Sequence, residues 1–92
     1  MPRFLVEHPT VEPFDPEAVT PTARAIKGAC SADAYWVRTL VAPAARRMYC
    51  EWEAKDAQAV LDALGAAGKV APELPVAGIY EITMQVSGED FR

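Results

Sequence analysis

The stretch from Ala34 to Glu53 leaves this chain few choices. Ala34 to Val41 carries Tyr, Trp, Val, Thr, Leu and Val almost without a break, and Arg47 to Glu53 carries Met, Tyr, Cys and Trp. The five residues between them, Ala42-Pro-Ala-Ala-Arg46, suffice for a turn and little else, so the two runs predict an antiparallel hairpin. If Val41 pairs with Arg47, then Trp36 faces Trp52, Arg38 faces Cys50 and Leu40 faces Met48, and these six share one side. The other side holds Tyr35, Val37, Thr39 and Val41 against Arg47, Tyr49, Glu51 and Glu53. Large apolar groups stand on both sides, so both need cover.

The flanking elements follow from local signals. Arg3 to Glu7 is a short apolar run that His8-Pro9 should end, giving a first strand. A proline-rich loop enters a helix at Asp15-Pro16 or at Thr20-Pro21, each an N-cap residue followed by proline, and Ile26, Ala29 and Cys30 continue it at helical spacing toward Ser31. Asp56 caps a second helix with Val60, Leu61 and Leu64 on its apolar face, and Gly65 and Gly68 offer places to end it. Ile79 to Val86 reads as a last strand. Strand, helix, strand, strand, helix, strand is the ferredoxin-like order: an α+β fold with a four-stranded antiparallel sheet and two helices on one face. It occupies residues 1–86 as one domain, and 87–92 is a polar tail.

Composition narrows the function classes. Nine basic against thirteen acidic side chains give a net charge of −4, a poor match to a phosphate backbone, so nucleic acid is not an expected partner. No apolar stretch reaches the roughly 18 residues of a membrane span, and Met-Pro-Arg-Phe-Leu-Val lacks a signal-peptide core. Two cysteines, Cys30 and Cys50, are too few for a disulfide framework, which points to a reducing cytoplasm. Seventeen alanines and eight prolines beside three lysines and no asparagine fit a GC-rich bacterial genome. A chain of 92 residues buries only about 60–65% of the surface its unfolded form exposes, which favours self-association.

If the helices cover the face of Val37 and Tyr49, the two indoles look outward and a second copy is their simplest cover. Two sheets packed in this way form a dimeric α+β barrel with a lumen between them. The run Trp36-Val-Arg-Thr-Leu-Val41 followed by Arg47-Met-Tyr-Cys-Glu-Trp-Glu-Ala-Lys-Asp56 resembles a small bacterial family of unknown-function domains that includes nickel-binding proteins of this dimeric fold. Pro2 to Glu7, Leu74-Pro75 and Gly78-Ile-Tyr-Glu81 extend the resemblance over most of the chain. Two positions depart from it: Arg38 stands where members commonly have histidine, and Leu40 where they commonly have tyrosine.

The resemblance implies nickel, whereas the residues favour an organic guest. A guanidinium cannot coordinate a cation, so Arg38 weighs against metal, and the donors left are Cys50, Glu7, His8 and Glu81. His8, beside a proline at a strand end, reads more simply as a solvated loop residue. Arg38 near Cys50 between two indoles instead suits a planar or anionic molecule. The expected ligand-binding set is Trp36, Arg38, Leu40, Met48, Cys50, Trp52 and Glu81, with no cofactor. Catalysis, if present, falls to Cys50, Glu7 and Arg38 in a cofactor-free cyclisation or isomerisation. The partners expected are therefore a second copy and a small organic molecule, with a dimer lacking any pocket as the remaining alternative.

Overall fold

The computed structural model describes residues 1–10 and 14–92. Strand β1 spans Arg3–Pro9, helix α1 Pro16–Gly28, β2 Ala34–Ala42, β3 Arg47–Ala54, helix α2 Ala57–Ala67 and β4 Gly78–Ile82; short 3-10 turns occupy Pro43–Ala45 and Gly88–Phe91. The sheet runs β2-β3-β1-β4 with every neighbouring pair antiparallel, which is the ferredoxin-like fold expected from the order of elements.

Each helix starts where a carboxylate can satisfy a free amide. Asp15 accepts from the Glu17 amide at 3.0 Å with Pro16 at the first helical position, which resolves the two possible entries in favour of the earlier one. Asp56 accepts from the Ala59 amide at 2.8 Å, and α2 stops at Gly68. Strand β1 runs two residues further than expected, because Pro9 still pairs with Arg47. The Glu7 carbonyl points toward β4 and the Thr10 amide toward β3, so the N–H that Pro9 lacks would face the β4 side, where β4 has already ended. At the other margin β4 stops at Ile82 rather than Val86, since its partner β1 begins at Arg3 and Arg3 pairs with Ile82.

The two sheet faces are the reverse of the expected assignment. Phe4, Val6, Cys50, Trp52 and Ala54 are buried in one cluster with Ile26 of α1 and Val60, Ala63 and Leu64 of α2. Trp52 is fully covered by the chain's own helices, and Trp36 packs against the same cluster. The expected pairing holds from Ala34 opposite Ala54 to Trp36 opposite Trp52. A β-bulge at Val37 then shifts the register, so that Arg38 lies opposite Glu51, Thr39 opposite Cys50, Leu40 opposite Tyr49 and Val41 opposite Met48. The extra residue restores the register set at the turn, where Ala42 rather than Val41 pairs with Arg47. Arg46 closes that turn in the left-handed conformation, φ 54°.

The face away from the helices is open. It carries Arg3, Leu5 and Glu7 of β1, Arg38 and Leu40 of β2, Tyr49, Glu51 and Glu53 of β3, and Tyr80 of β4. Ion pairs hold its charges: Glu51 lies 3.2 Å from Arg3 and 3.5 Å from Arg38, Glu53 3.0 Å from Arg3, and Glu7 3.1 Å from Arg47. The two arginines explain Glu51, which is out of place only if that side is assigned to the helices.

Candidate functional site

Between α1 and the β2–β3 hairpin the helix layer leaves a cavity of about 460 Å³. Once α1 begins at Pro16, Val19, Thr22, Ala23 and Ile26 fall at i, i+3, i+4 and i+7 and form its roof. The bulge supplies the opposite wall. It keeps Trp36 on the helix side and brings Thr39 and Val41 to that side as well, beside Met48 and Cys50 of β3. Phe14, Pro16, Pro43 and Leu74 complete the lining.

The polar side chains on these walls are already hydrogen-bonded within the protein. Thr22 Oγ1 donates to the Pro72 carbonyl at 3.1 Å, and Trp36 Nε1 donates to Thr39 Oγ1 at 2.9 Å. Thr39 Oγ1 in turn lies 3.2 Å from Cys50 Sγ. Burial pushes the Cys50 thiol up, with the Thr39 hydrogen bond opposing it, so Cys50 is a protonated thiol at neutral pH. Among the described residues the cavity therefore presents hydrocarbon and indole to a guest, with no charged side chain in its lining.

Only part of the expected site assembles. Trp36, Met48 and Cys50 line the cavity and Trp52 lies beneath it in the core, all on the helix side. Arg38, Leu40 and Glu7 stand on the open face, and Glu81 is exposed on the edge strand. Arg38 thus meets Glu51 instead of Cys50, and the triad Cys50, Glu7 and Arg38 is divided between two faces of one sheet. The donor set Cys50, Glu7, His8 and Glu81 is divided in the same way, and among the described residues no three His, Cys, Asp or Glu side chains group as metal ligands.

His8 is not a solvated loop residue. It is fully buried opposite Met48, its Nδ1 donates to the Pro75 carbonyl at 2.9 Å, and its Nε2 is buried with no partner among the described residues. Burial lowers its pKa, partly offset by the Pro75 bond, so the ring is neutral. Cys30 is half-buried and accepts from the Trp36 amide at 3.4 Å, and both cysteines are free thiols.

Thr39, Val41 and the α1 stripe are the site residues that the hairpin pairing misses. The stripe has a sequence signal, because counting from Asp15 exposes its spacing. Thr39 has none, because its face depends on the bulge.

No family model and no curated protein matches this chain. Among solved structures it is similar to SCO4226 from Streptomyces coelicolor A3(2), at 18% identity over 91% of this chain and 99% of that one, with a TM-score of 0.75. That likeness is one of fold. Among the described residues no helix is long and apolar enough to cross a membrane.

Proposed function

We propose that this protein binds a small, uncharged, predominantly apolar molecule in the cavity beneath α1. The observation that carries this reading is a space of about 460 Å³, within the range of small-molecule sites, whose wall polar side chains are already hydrogen-bonded within the protein. A buried carboxylate or ammonium would find no counter-charge among the described lining residues and would lose several kcal/mol of hydration. Arg38, the reason to expect an anionic guest, lies on the opposite face with Glu51. Apolar contact and stacking on Trp36 supply the affinity, and binding needs no reaction and no cofactor.

N-phenyl-1-naphthylamine, a neutral fluorophore, tests the reading. Titration into the wild-type protein should give saturable enhancement with one site per chain, and benzoate at equal concentration should not compete. Ala23→Phe, which projects a ring from the roof into the space, should weaken binding at least tenfold while leaving the fold intact. Enhancement that never saturates, or that is unchanged in Ala23→Phe, overturns the proposal.

A further inference from the structure

The described polar side chains that line the cavity are satisfied, and the imidazole beside it is not. Val41, Met48 and His8 form one row across β2, β3 and β1, each the register partner of the next. Val41 and Met48 line the cavity, so His8 continues that floor one strand beyond Met48, a step of about 4.8 Å. The segment that leads from α2 to β4 holds it there: Nδ1 meets the Pro75 carbonyl at 2.9 Å, and the residue before Pro75, Leu74, lines the cavity. His8 therefore adjoins the space at its β1 margin.

The ring has one open hydrogen-bond position, and its kind is fixed. A carbonyl can only accept, so Nδ1 carries the hydrogen and Nε2 of the neutral ring is an acceptor. Nε2 is buried with no partner among the described residues, and so is Thr10 Oγ1. The Thr10 amide still bonds the Arg46 carbonyl at 3.0 Å, which keeps the strand alternation and puts the Thr10 side chain on the same side of β1 as His8. An unpaired buried acceptor is costly, and a guest that brings it a hydrogen recovers that cost on binding. A hydroxyl suits both atoms, since its hydrogen can go to Nε2 and its oxygen can accept from Thr10. In the row, Met48 stands between the space and the ring, and its unbranched thioether can swing aside at small cost.

We infer that the guest of this cavity carries one hydroxyl, as a phenol or an apolar alcohol does, and that this hydroxyl donates to His8 Nε2 when Met48 moves aside. His8 then selects the guest, while the α1 roof and Trp36 supply most of its affinity. The inference rests on the ligand reading above and adds the guest's polar group.

Displacement of N-phenyl-1-naphthylamine by 1-naphthol and by 1-methylnaphthalene tests it, at about pH 7.5 where a phenol keeps its proton. The two competitors differ by a hydroxyl against a methyl. His8→Leu should shift the ratio of their dissociation constants toward 1-methylnaphthalene by about fivefold or more, the worth of one neutral hydrogen bond. His8 is the only histidine in the chain, so the wild-type protein gives a second reading with no substitution. Its Nε2 nitrogen resonance should move upfield with 1-naphthol and scarcely move with 1-methylnaphthalene. That reading decides the matter even if His8→Leu fails to fold, which circular dichroism will show. An unchanged ratio in a folded His8→Leu, or an Nε2 resonance that 1-naphthol leaves in place, overturns the inference, and saturable binding of the fluorophore then leaves the cavity reading standing. A fluorophore that never saturates removes both.

Discussion

The two helices cover the same sheet face and pack on it in opposite ways. Helix α2 buries Ala59, Val60, Ala63, Leu64 and Ala67, a face of mostly small residues that lets its backbone lie close to β2 and β3. Helix α1 buries only Thr22 and Ile26, and the rest of its inner stripe borders the cavity. One half of the layer is solid and the other is hollow. The hollow half is where the bulge turns Trp36, Thr39 and Val41 inward. Tight packing and the proposed ligand site thus fall to different helices, and substitution can separate them.

The largest expected effect is Leu64→Ala, about 2–5 kcal/mol of unfolding free energy by urea denaturation, because a packed site pays for both the lost methyl groups and the void. Ile26→Ala removes a side chain already bordering empty space, so its cost should fall nearer the transfer value of about 1.5–3 kcal/mol. Equal losses would mean that α1 is packed as tightly as α2 in solution. The reverse substitution sharpens the contrast. Ala63→Leu should cost about 1–3 kcal/mol by overpacking, whereas Ala23→Leu enters the cavity and should be neutral or stabilising.

His8 gives a pH dependence of known sign. Its folded pKa lies below the unfolded value near 6.5, so below that pH the unfolded chain binds more protons than the folded one. Stability should be steady above pH 7 and fall as pH drops below 6.5, by at most about 1.4 kcal/mol per pH unit for one group. The urea midpoint at pH 7.5 and 5.5 measures it. His8→Gln should flatten the decline over that interval, and an unchanged slope would place its origin elsewhere.

How far the sequence discloses this molecule depends on which strand is read. The element order and the Asp56 cap follow from local chemistry, and both survive in the structure. The orientation of the sheet was available from β3 alone, where Arg47, Glu51 and Glu53 alternate with Met48, Cys50, Trp52 and Ala54, and three charges on one side mark the side away from the helices. Strand β2 obscures that signal. Tyr35, Trp36, Val37, Leu40 and Val41 are apolar on both sides, so no period of two selects a face, and a bulge at Val37 leaves no mark in the composition. Reading the hairpin from β2 therefore places Arg38 with Cys50, and the anionic-ligand expectation inherits that one-residue slip. The α1 roof needs only the right starting cap. The cavity itself depends on the helix standing off the sheet, a packing outcome beyond local pattern.

The smallest effect probes the polar seam in the hollow half. Thr39→Val keeps the shape of the side chain but removes the acceptor of the Trp36 indole N–H and the hydrogen bond to Cys50. Losing one such bond should cost about 0.5–1.5 kcal/mol, or more if the indole N–H finds no water in its place. The Thr39 bond is what favours the Cys50 thiolate against burial, so the thiol pKa should rise further and alkylation by iodoacetamide at pH 8.5 should slow, with Cys30 as the internal control. Faster labelling of Cys50 would mean that the variant opens the cavity, and that the seam holds α1 in place instead of tuning the thiol. In the solid half, α2 meets the sheet through side chains such as Val60 and Leu64 that have no hydrogen bond to lose, so a comparable experiment there would read packing alone.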